Sequence, residues 1–595
     1  MSTQGGDRRR ARSILCTTSL LLGVVVLGCA PESPPQPNVL LVVVDTLRAD
    51  HLTTYGYARD TSPRVQSLIA DQGVVVETAY AQAPWTLPSM ASLLTGLPPD
   101  DLLDVEGRPW GVPSAARTLA ERFVDAGWAT AGFVANPTMH AGNGFAQGFE
   151  VFESAPYDLA SMALPADRVQ AQALDWLETA PAEPFFLYVH YLDPHDPYDN
   201  AEIPDGRSPF FPDYDGPISG GDAHGLYLGE LELSDPERDV EHLRALYDSE
   251  IRYVDRFVGE LIDALGPRLD NTLIVFTSDH GEEFYENGSF KHGETLYDEL
   301  IHVPLIFRWD GELPAGRRVE GTARLLDIVP TLIEAAGLEP GDADSDLASS
   351  WSEGMSLLPA LRGGELDERP AWARHFSAGP ERVARMESGS KAILFDRYAP
   401  FKPADTREAA LWRRDVDRMP RFEAEGDLDD PMQASAELAG RLDRWREGLR
   451  LVLSDAQRGG RFEAELRFEN PPTSVEGLFL GSDDRFELVG DRLRLAWLAD
   501  EVEKGVLVRG AVGGVLEASA RLNGAPLPML WGDGIDGASR RLPLGLRDVL
   551  VESYPPRASD QPALHGWVRR PQRLFEPTAR DAETESRLRS LGYAE

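Results

Sequence analysis

Two kinds of hydrophobic spacing alternate along the chain. Continuous apolar, largely β-branched runs occupy residues 39–44, 74–77, 130–135, 185–191, 272–277 and 303–307. Between them, residues 64–71, 114–126, 167–179, 241–265 and 325–336 repeat apolar positions every three to four residues. The first spacing predicts strands buried on both faces, and the second predicts helices packed against them. Together they predict an α/β fold with a mostly parallel sheet between helix layers. In such sheets ligands gather beyond the carboxyl ends of the strands. Asp45 follows the first predicted strand, Asp193 and His195 the fourth, and Asp279 and His280 the fifth.

From about Gly460 the texture changes to short alternating segments at 462–468, 478–481, 492–497 and 505–509, separated by Gly, Asn and Asp turns. The expected layout is therefore a catalytic domain over 38–365, a helical continuation over 366–459, a β-rich module over 460–560 and a tail over 561–595. A chain of 595 residues, 42% hydrophobic and 26% charged, is foldable and too long for one ordinary core. Its net charge of −40 removes the basic face that nucleic-acid phosphates require. Cys16 and Cys29 are the only cysteines, which excludes a disulfide-stapled fold.

The N-terminus opens with Arg8, Arg9, Arg10 and Arg12 and continues with a mostly apolar run over residues 14–28. That run, about fifteen residues, falls short of the roughly twenty that span a bilayer and reads as a signal-peptide core. Val26-Leu27-Gly28-Cys29 resembles the lipobox of bacterial lipoproteins. The resemblance implies cleavage after residue 28, lipidation of Cys29 and anchoring of an exported protein in the cell envelope. Residues 29–37, with four prolines, read as a stiff tether.

Three segments carry chemistry. Asp45, Asp279 and His280 are oxygen and imidazole donors at strand ends, able to hold one divalent cation. Pro88 suits the first turn of a helix running through Ser92 and Leu94, which places Thr86 at its entrance. Free N–H groups and the helix dipole favour negative charge there. A hydroxyl beside a metal at such a point can be ionised into a nucleophile. Ser89 reads as an ordinary first-turn residue and His190, inside a strand, as a core or supporting histidine.

Several motifs in order resemble the sulfatase family of the alkaline phosphatase superfamily. They include Asp45-Thr-Leu-Arg-Ala-Asp50, Leu93-Leu-Thr-Gly96, the segment from Phe185 to His195, and Tyr247-Asp-Ser-Glu-Ile-Arg-Tyr-Val-Asp255. Asp327-Ile-Val-Pro-Thr331 and Leu588-Arg-Ser-Leu-Gly-Tyr593 extend the likeness. The resemblance implies that His195 and His292 contact the ester or protonate its leaving oxygen. Lys291 and Asn136 are expected substrate contacts, Thr46 stands as a fourth metal position where the family carries a second aspartate, and Thr86 is expected at the metal as well.

The departures point to different chemistry. Where the family has a Cys or Ser that is oxidised to formylglycine, this chain has Thr86, whose oxidation would give a ketone. Met90 stands in place of the signature arginine, and Ala135-Asn136-Pro137 in place of a Lys-x-His pair. His280 replaces an asparagine of calcium-dependent members. With fewer carboxylates and an imidazole, Mn²⁺ or Zn²⁺ is favoured over Ca²⁺. The expectation is a metal-dependent hydrolase of sulfate or phosphate esters, its substrate an anionic glycan, lipid headgroup or small molecule. The alternatives are a transferase of phosphoryl headgroups and a catalytically silent surface lipoprotein.

Overall fold

The computed structural model describes residues 36–569 apart from 103–110, 156–165, 180–183, 201–202, 204–205, 294, 339–353, 368, 376–381, 388–389, 396–421, 426–447, 455–459, 473, 479–483, 500–503, 510–514, 528 and 532–562. The proposed signal peptide, Cys29 and most of the tether lie outside the described residues. Among the described residues no helix is long and apolar enough to cross a membrane.

The strands of the first region are β1 Asn38–Val44, β2 Val74–Tyr80, β3 Ala129–Val134, β4 Val151–Ser154, β5 Phe185–Tyr191, β6 Thr272–Thr277, β7 Glu283–Phe284, β8 Phe290–Lys291, β9 His302–Arg308 and β10 Arg317–Arg324. Its helices are α1 Pro63–Val65, α2 Thr86–Thr95, α3 Leu119–Asp125, α4 Ala166–Thr179, α5 Ala223–Tyr227, α6 Pro236–Leu265, α7 Asp298–Ile301, α8 Ile328–Ala335 and α9 Leu358–Leu361. Eight strands form one sheet in the order β10-β2-β9-β6-β1-β5-β3-β4. Only β9 runs antiparallel to its neighbours β2 and β6. The small β7–β8 hairpin stands apart from this sheet.

β1 is buried along its whole length because it lies in mid-sheet with helices on both faces. Its side chains alternate. Val39, Leu41 and Val43 join one core with α2, α3 and α8, while Leu40, Val42 and Val44 join the other with α4 and α6. That parity aims Asp45, the next odd position, toward the α2 side.

Local signals set several boundaries. α6 starts five residues before the periodic pattern because Asp235 accepts from the Arg238 amide and Pro236 occupies the first turn. α3 begins later than the predicted 114, at a capping box formed by Thr118 and Glu121. Residues 64–71 do not form a regular α-helix: one turn at α1 runs into a π-helical stretch, Gln66–Ala70.

Within 366–459, expected to be helical, every described element is a strand, while 396–421 and 426–447 lie outside the described residues. An antiparallel sheet links β11 Ala371–His375, β12 Arg382–Glu387, β13 Ser390–Phe395 and β14 Phe422–Glu425. β12, Arg-Val-Ala-Arg-Met-Glu, shows no clean alternation of polar and apolar positions, and its antiparallel pairing with β11 and β13 makes it a strand.

Beyond it run β15 Gly448–Ser454, β16 Arg461–Phe468, β17 Ser474–Leu478, β18 Arg485–Val489, β19 Arg492–Leu498, β20 Lys504–Arg509, β21 Val515–Leu522, β22 Ala525–Pro526, β23 Met529–Trp531 and β24 Ala563–Arg569. They make two five-stranded sheets, β17-β20-β15-β24-β23 and β18-β19-β16-β21-β22. Leu451, Val506 and Leu564 of the first share a core with Phe462, Leu466, Leu495 and Trp497 of the second. β15 precedes the expected limits of this module, and β24 falls in the expected tail.

Candidate active site

The site assembles where three chain segments leave adjacent parts of the fold. β1 delivers Asp45, the loop after β6 delivers Asp279 and His280, and α2 begins at Thr86. Asp45, Asp279 and His280 are all fully buried, and their ligating atoms lie within 4.8 Å of one another. His280 Nε2 is 3.6 Å from Asp45 Oδ1 and 3.4 Å from Asp279 Oδ2.

The tautomer of His280 follows from its other nitrogen. Nδ1 lies 2.9 Å from the carbonyl oxygen of Gly281, which can only accept, so Nδ1 carries the proton. Nε2 then presents its lone pair to the carboxylates, as a metal-ligating imidazole does. Asp279 is held from behind, its Oδ1 accepting from the amides of Thr46 at 3.3 Å and His280 at 2.9 Å. Oδ2 of Asp279 and Oδ1 of Asp45 are buried without a hydrogen-bond partner. Burial first, then the Asp279 charge, pushes the Asp45 carboxyl well above its ordinary range. Two unpartnered carboxylate oxygens and an imidazole lone pair converging in a dry site fit one divalent cation.

Thr86 meets this cluster directly. Its Oγ1 lies 3.5 Å from Asp45 Oδ2 and 3.4 Å from His280 Nε2. Trp85 is extended and Thr86 is the first residue of α2, so the positive end of a ten-residue helix adjoins the site. Asn136 joins them, its amide nitrogen 2.8 Å from Asp45 Oδ2 and 3.3 Å from Thr86 Oγ1. Its own oxygen accepts from the amide and hydroxyl of Thr138, which fixes the flip of the amide.

The two histidines form the other wall. Their rings are 4.9 Å apart in an edge-to-face arrangement, and the His292 ring is 4.5 Å from that of His280. His195 Nδ1 donates to the Asp196 carbonyl across 2.6 Å, which commits that nitrogen and leaves Nε2 for a substrate. His292 Nδ1 lies 2.8 Å from Glu282 Oε1, whose other oxygen accepts from the Tyr198 hydroxyl at 3.1 Å.

Lys291 contacts two groups of the protein. Its ammonium lies 3.0 Å from Asp196 Oδ1 and 3.3 Å from His224 Nδ1. Burial alone would raise the Asp196 carboxyl, but Lys291 and the neighbouring histidines bring it down to about 2. Lys291 therefore ties the hairpin to the 193–198 loop. The Thr46 hydroxyl is buried without a partner, while its amide clamps Asp279. His190 is fully buried with Nε2 3.8 Å from Asp45 Oδ2, and burial lowers it to about 4, so it is neutral.

Sequence reasoning missed Asp196 and His224. Asp196 had a signal, being the residue after His195 in a Pro-His-Asp-Pro run. His224 had none, since it arrives from the short helix α5.

The sulfatase family profile matches residues 37–338, just over half of the chain. This chain belongs to the sulfatase family. The low-salt glycan biosynthesis sulfotransferase of Haloferax volcanii is 28% identical to it, over 67% of this chain and 91% of that one. The N-acetylgalactosamine-6-sulfatase of Canis lupus familiaris is 26% identical, over 59% of this chain and 70% of the relative. The fold of this sulfatase-family chain is also that of a solved phosphonate monoester hydrolase of Agrobacterium radiobacter, with a TM-score of 0.50 and 23% identity over 60% of this chain and 87% of the other.

Proposed function

We propose that this protein is a metal-dependent hydrolase of sulfate or phosphate esters that works through Thr86. The observation that carries this reading is the position of Thr86 Oγ1, at a helix entrance and within 3.5 Å of both Asp45 and His280. Asp45, Asp279 and His280 would hold the cation, with the imidazole favouring Mn²⁺ or Zn²⁺ over Ca²⁺. Such a cation supplies positive charge that lowers the hydroxyl pKa of Thr86 and neutralises the anionic ester.

Thr86 Oγ1 gives its proton to Asp45 Oδ2, toward which it points across 3.5 Å, and attacks the central sulfur or phosphorus, its new bond forming as the bond to the ester oxygen opposite it breaks. The departing oxygen takes a proton from His195 in its doubly protonated form, whereas burial and then the neighbouring His280, His195 and Lys291 hold His292 well below the ordinary imidazole value and leave it neutral. Asn136 steadies Thr86 against Asp45 through the approach. Water then attacks in line, losing a proton to the imidazole that protonated the leaving oxygen, and the bond to Oγ1 breaks, releasing sulfate or phosphate and returning the Asp45 proton to the threonine oxygen.

Phosphate esters suit this site better than sulfate esters. A formylglycine hydrate frees sulfate by collapsing to an aldehyde, a route closed to a plain alcohol. A phosphothreonine is instead resolved by attack at phosphorus. An acceptor alcohol in place of water would make the same site a transferase, and the Haloferax relative is named as a sulfotransferase. Export and lipidation at Cys29 complete the reading, with an anionic glycan, lipid headgroup or small ester as the envelope substrate.

The test is a panel of aryl sulfate, phosphate monoester and phosphate diester substrates with the metal-loaded protein. Faster turnover of one or both phosphate classes supports the reading. Faster turnover of sulfate than of both would remove the phosphoester preference.

A further inference from the structure

The motif Tyr247–Asp255 lies on α6, and the chemistry above does not use it. Asp255 has a structural role, accepting from the amides of Arg64 and Val65 at the start of α1. Tyr247 does something else. It is fully buried, and its hydroxyl donates to the Thr46 carbonyl at 2.7 Å while accepting from the Arg48 amide at 2.9 Å. One oxygen from a remote helix thus grips both ends of the turn that follows Asp45.

That turn is strained. Thr46 has φ of 55°, the left-handed region, where a β-branched residue is a genuine outlier. In this conformation the Thr46 amide meets Asp279 Oδ1 and the Leu47 amide meets Ser278 Oγ at 2.9 Å. The turn therefore stitches the β1 end to the β6 end, leaving Asp279 Oδ2 directed at Asp45 and His280. The Thr46 hydroxyl makes no hydrogen bond to hold the turn itself. An extended Thr46 would withdraw its amide from Asp279.

We propose that Tyr247 is a positioning residue for the cation site, its hydroxyl holding the left-handed Thr46 turn that sets Asp279 opposite Asp45. The proposal rests on the metal reading above. It assigns to Thr46 a contribution through its backbone amide, made possible by Tyr247.

The experiment compares Tyr247→Phe with Tyr55→Phe. The Tyr55 hydroxyl makes the same kind of bridge, donating to the Val76 carbonyl at 3.0 Å and accepting from the Leu305 amide at 2.9 Å. It does so between β2 and β9, away from the β1–β6 pair that carries the site. Metal-stripped wild type and both variants are titrated with Mn²⁺ and with Zn²⁺ by calorimetry, and melted without metal. The expected result is a similar fall in melting temperature for both variants. Cation affinity should fall 10- to 100-fold in Tyr247→Phe alone, the usual cost of losing a support behind a ligand. Unchanged affinity in Tyr247→Phe, or an equal loss in both variants, overturns the proposal. A wild type that takes up neither cation overturns the metal reading beneath it.

Discussion

Asn136 donates its amide to Asp45 Oδ2 across 2.8 Å and stands 3.3 Å from Thr86 Oγ1, so one side chain registers a proposed metal ligand against the proposed nucleophile. A hydrogen bond to a charged group contributes about 1.5–3 kcal/mol. At saturating metal, Asn136→Ala should therefore lower kcat/KM by about 10- to 100-fold. Steady-state kinetics beside metal analysis of the same samples checks this. Full activity in the variant would leave Asn136 without a part in the reaction.

The metal reading makes a paired forecast. Asp279→Asn and His280→Ala each remove a proposed ligand, so metal content and activity should fall together. Chelation of the wild type should abolish turnover, and Mn²⁺ or Zn²⁺ should restore it. Full metal occupancy in both variants would place the cation elsewhere.

Much of this site was legible because it depends on local order. A continuous apolar run marks β1, so Asp45 at its end had an address, and Pro88 marked the start of α2. What stayed hidden depends on tertiary approach. Lys291 finds Asp196 and His224 only when the hairpin, the 193–198 loop and α5 meet. Thr46 shows its backbone role only through a left-handed φ, which no composition announces for a threonine. The strands of 366–459 were missed for another reason: segments of four to six residues are too short for a period to outweigh helix-favouring residues.

A pH dependence of stability follows from Glu250, which sits away from the proposed ligands. Burial, followed by the Asp193 charge, pushes its carboxyl up to about 8. The folded state thus holds this proton more tightly than the unfolded chain does. The resulting stabilisation is complete below about 4.5, the ordinary value, and is lost as pH rises through about 8. Glu250→Gln keeps an oxygen for the Asn200 amide, which Glu250 accepts at 2.9 Å, and removes the titration. Its melting temperature should match the wild type near pH 5 and exceed it by several degrees at pH 9. Parallel melting curves across that range would contradict the assignment.

The envelope reading turns on one thiol. Cys29→Ser should abolish lipid attachment and move the protein from the membrane fraction to the soluble exported fraction. Fractionation with metabolic lipid labelling reads both effects. Retention of the variant in membranes would argue for a different anchor.

The central claim is that Thr86 supplies the attacking oxygen, and the most direct measurement is turnover by Thr86→Ala at verified metal occupancy. The methyl side chain leaves Asp45, Asp279 and His280 to bind the cation, so the fold and most metal affinity should persist. Thr86→Ser, which keeps the oxygen and loses a rotamer-fixing methyl, should retain measurable activity and serves as the matched control. The account predicts that Thr86→Ala loses at least about a thousandfold in kcat, the scale on which removal of a catalytic nucleophile acts. Turnover within a few-fold of wild type in a metal-loaded Thr86→Ala protein would contradict it and remove Thr86 as the nucleophile.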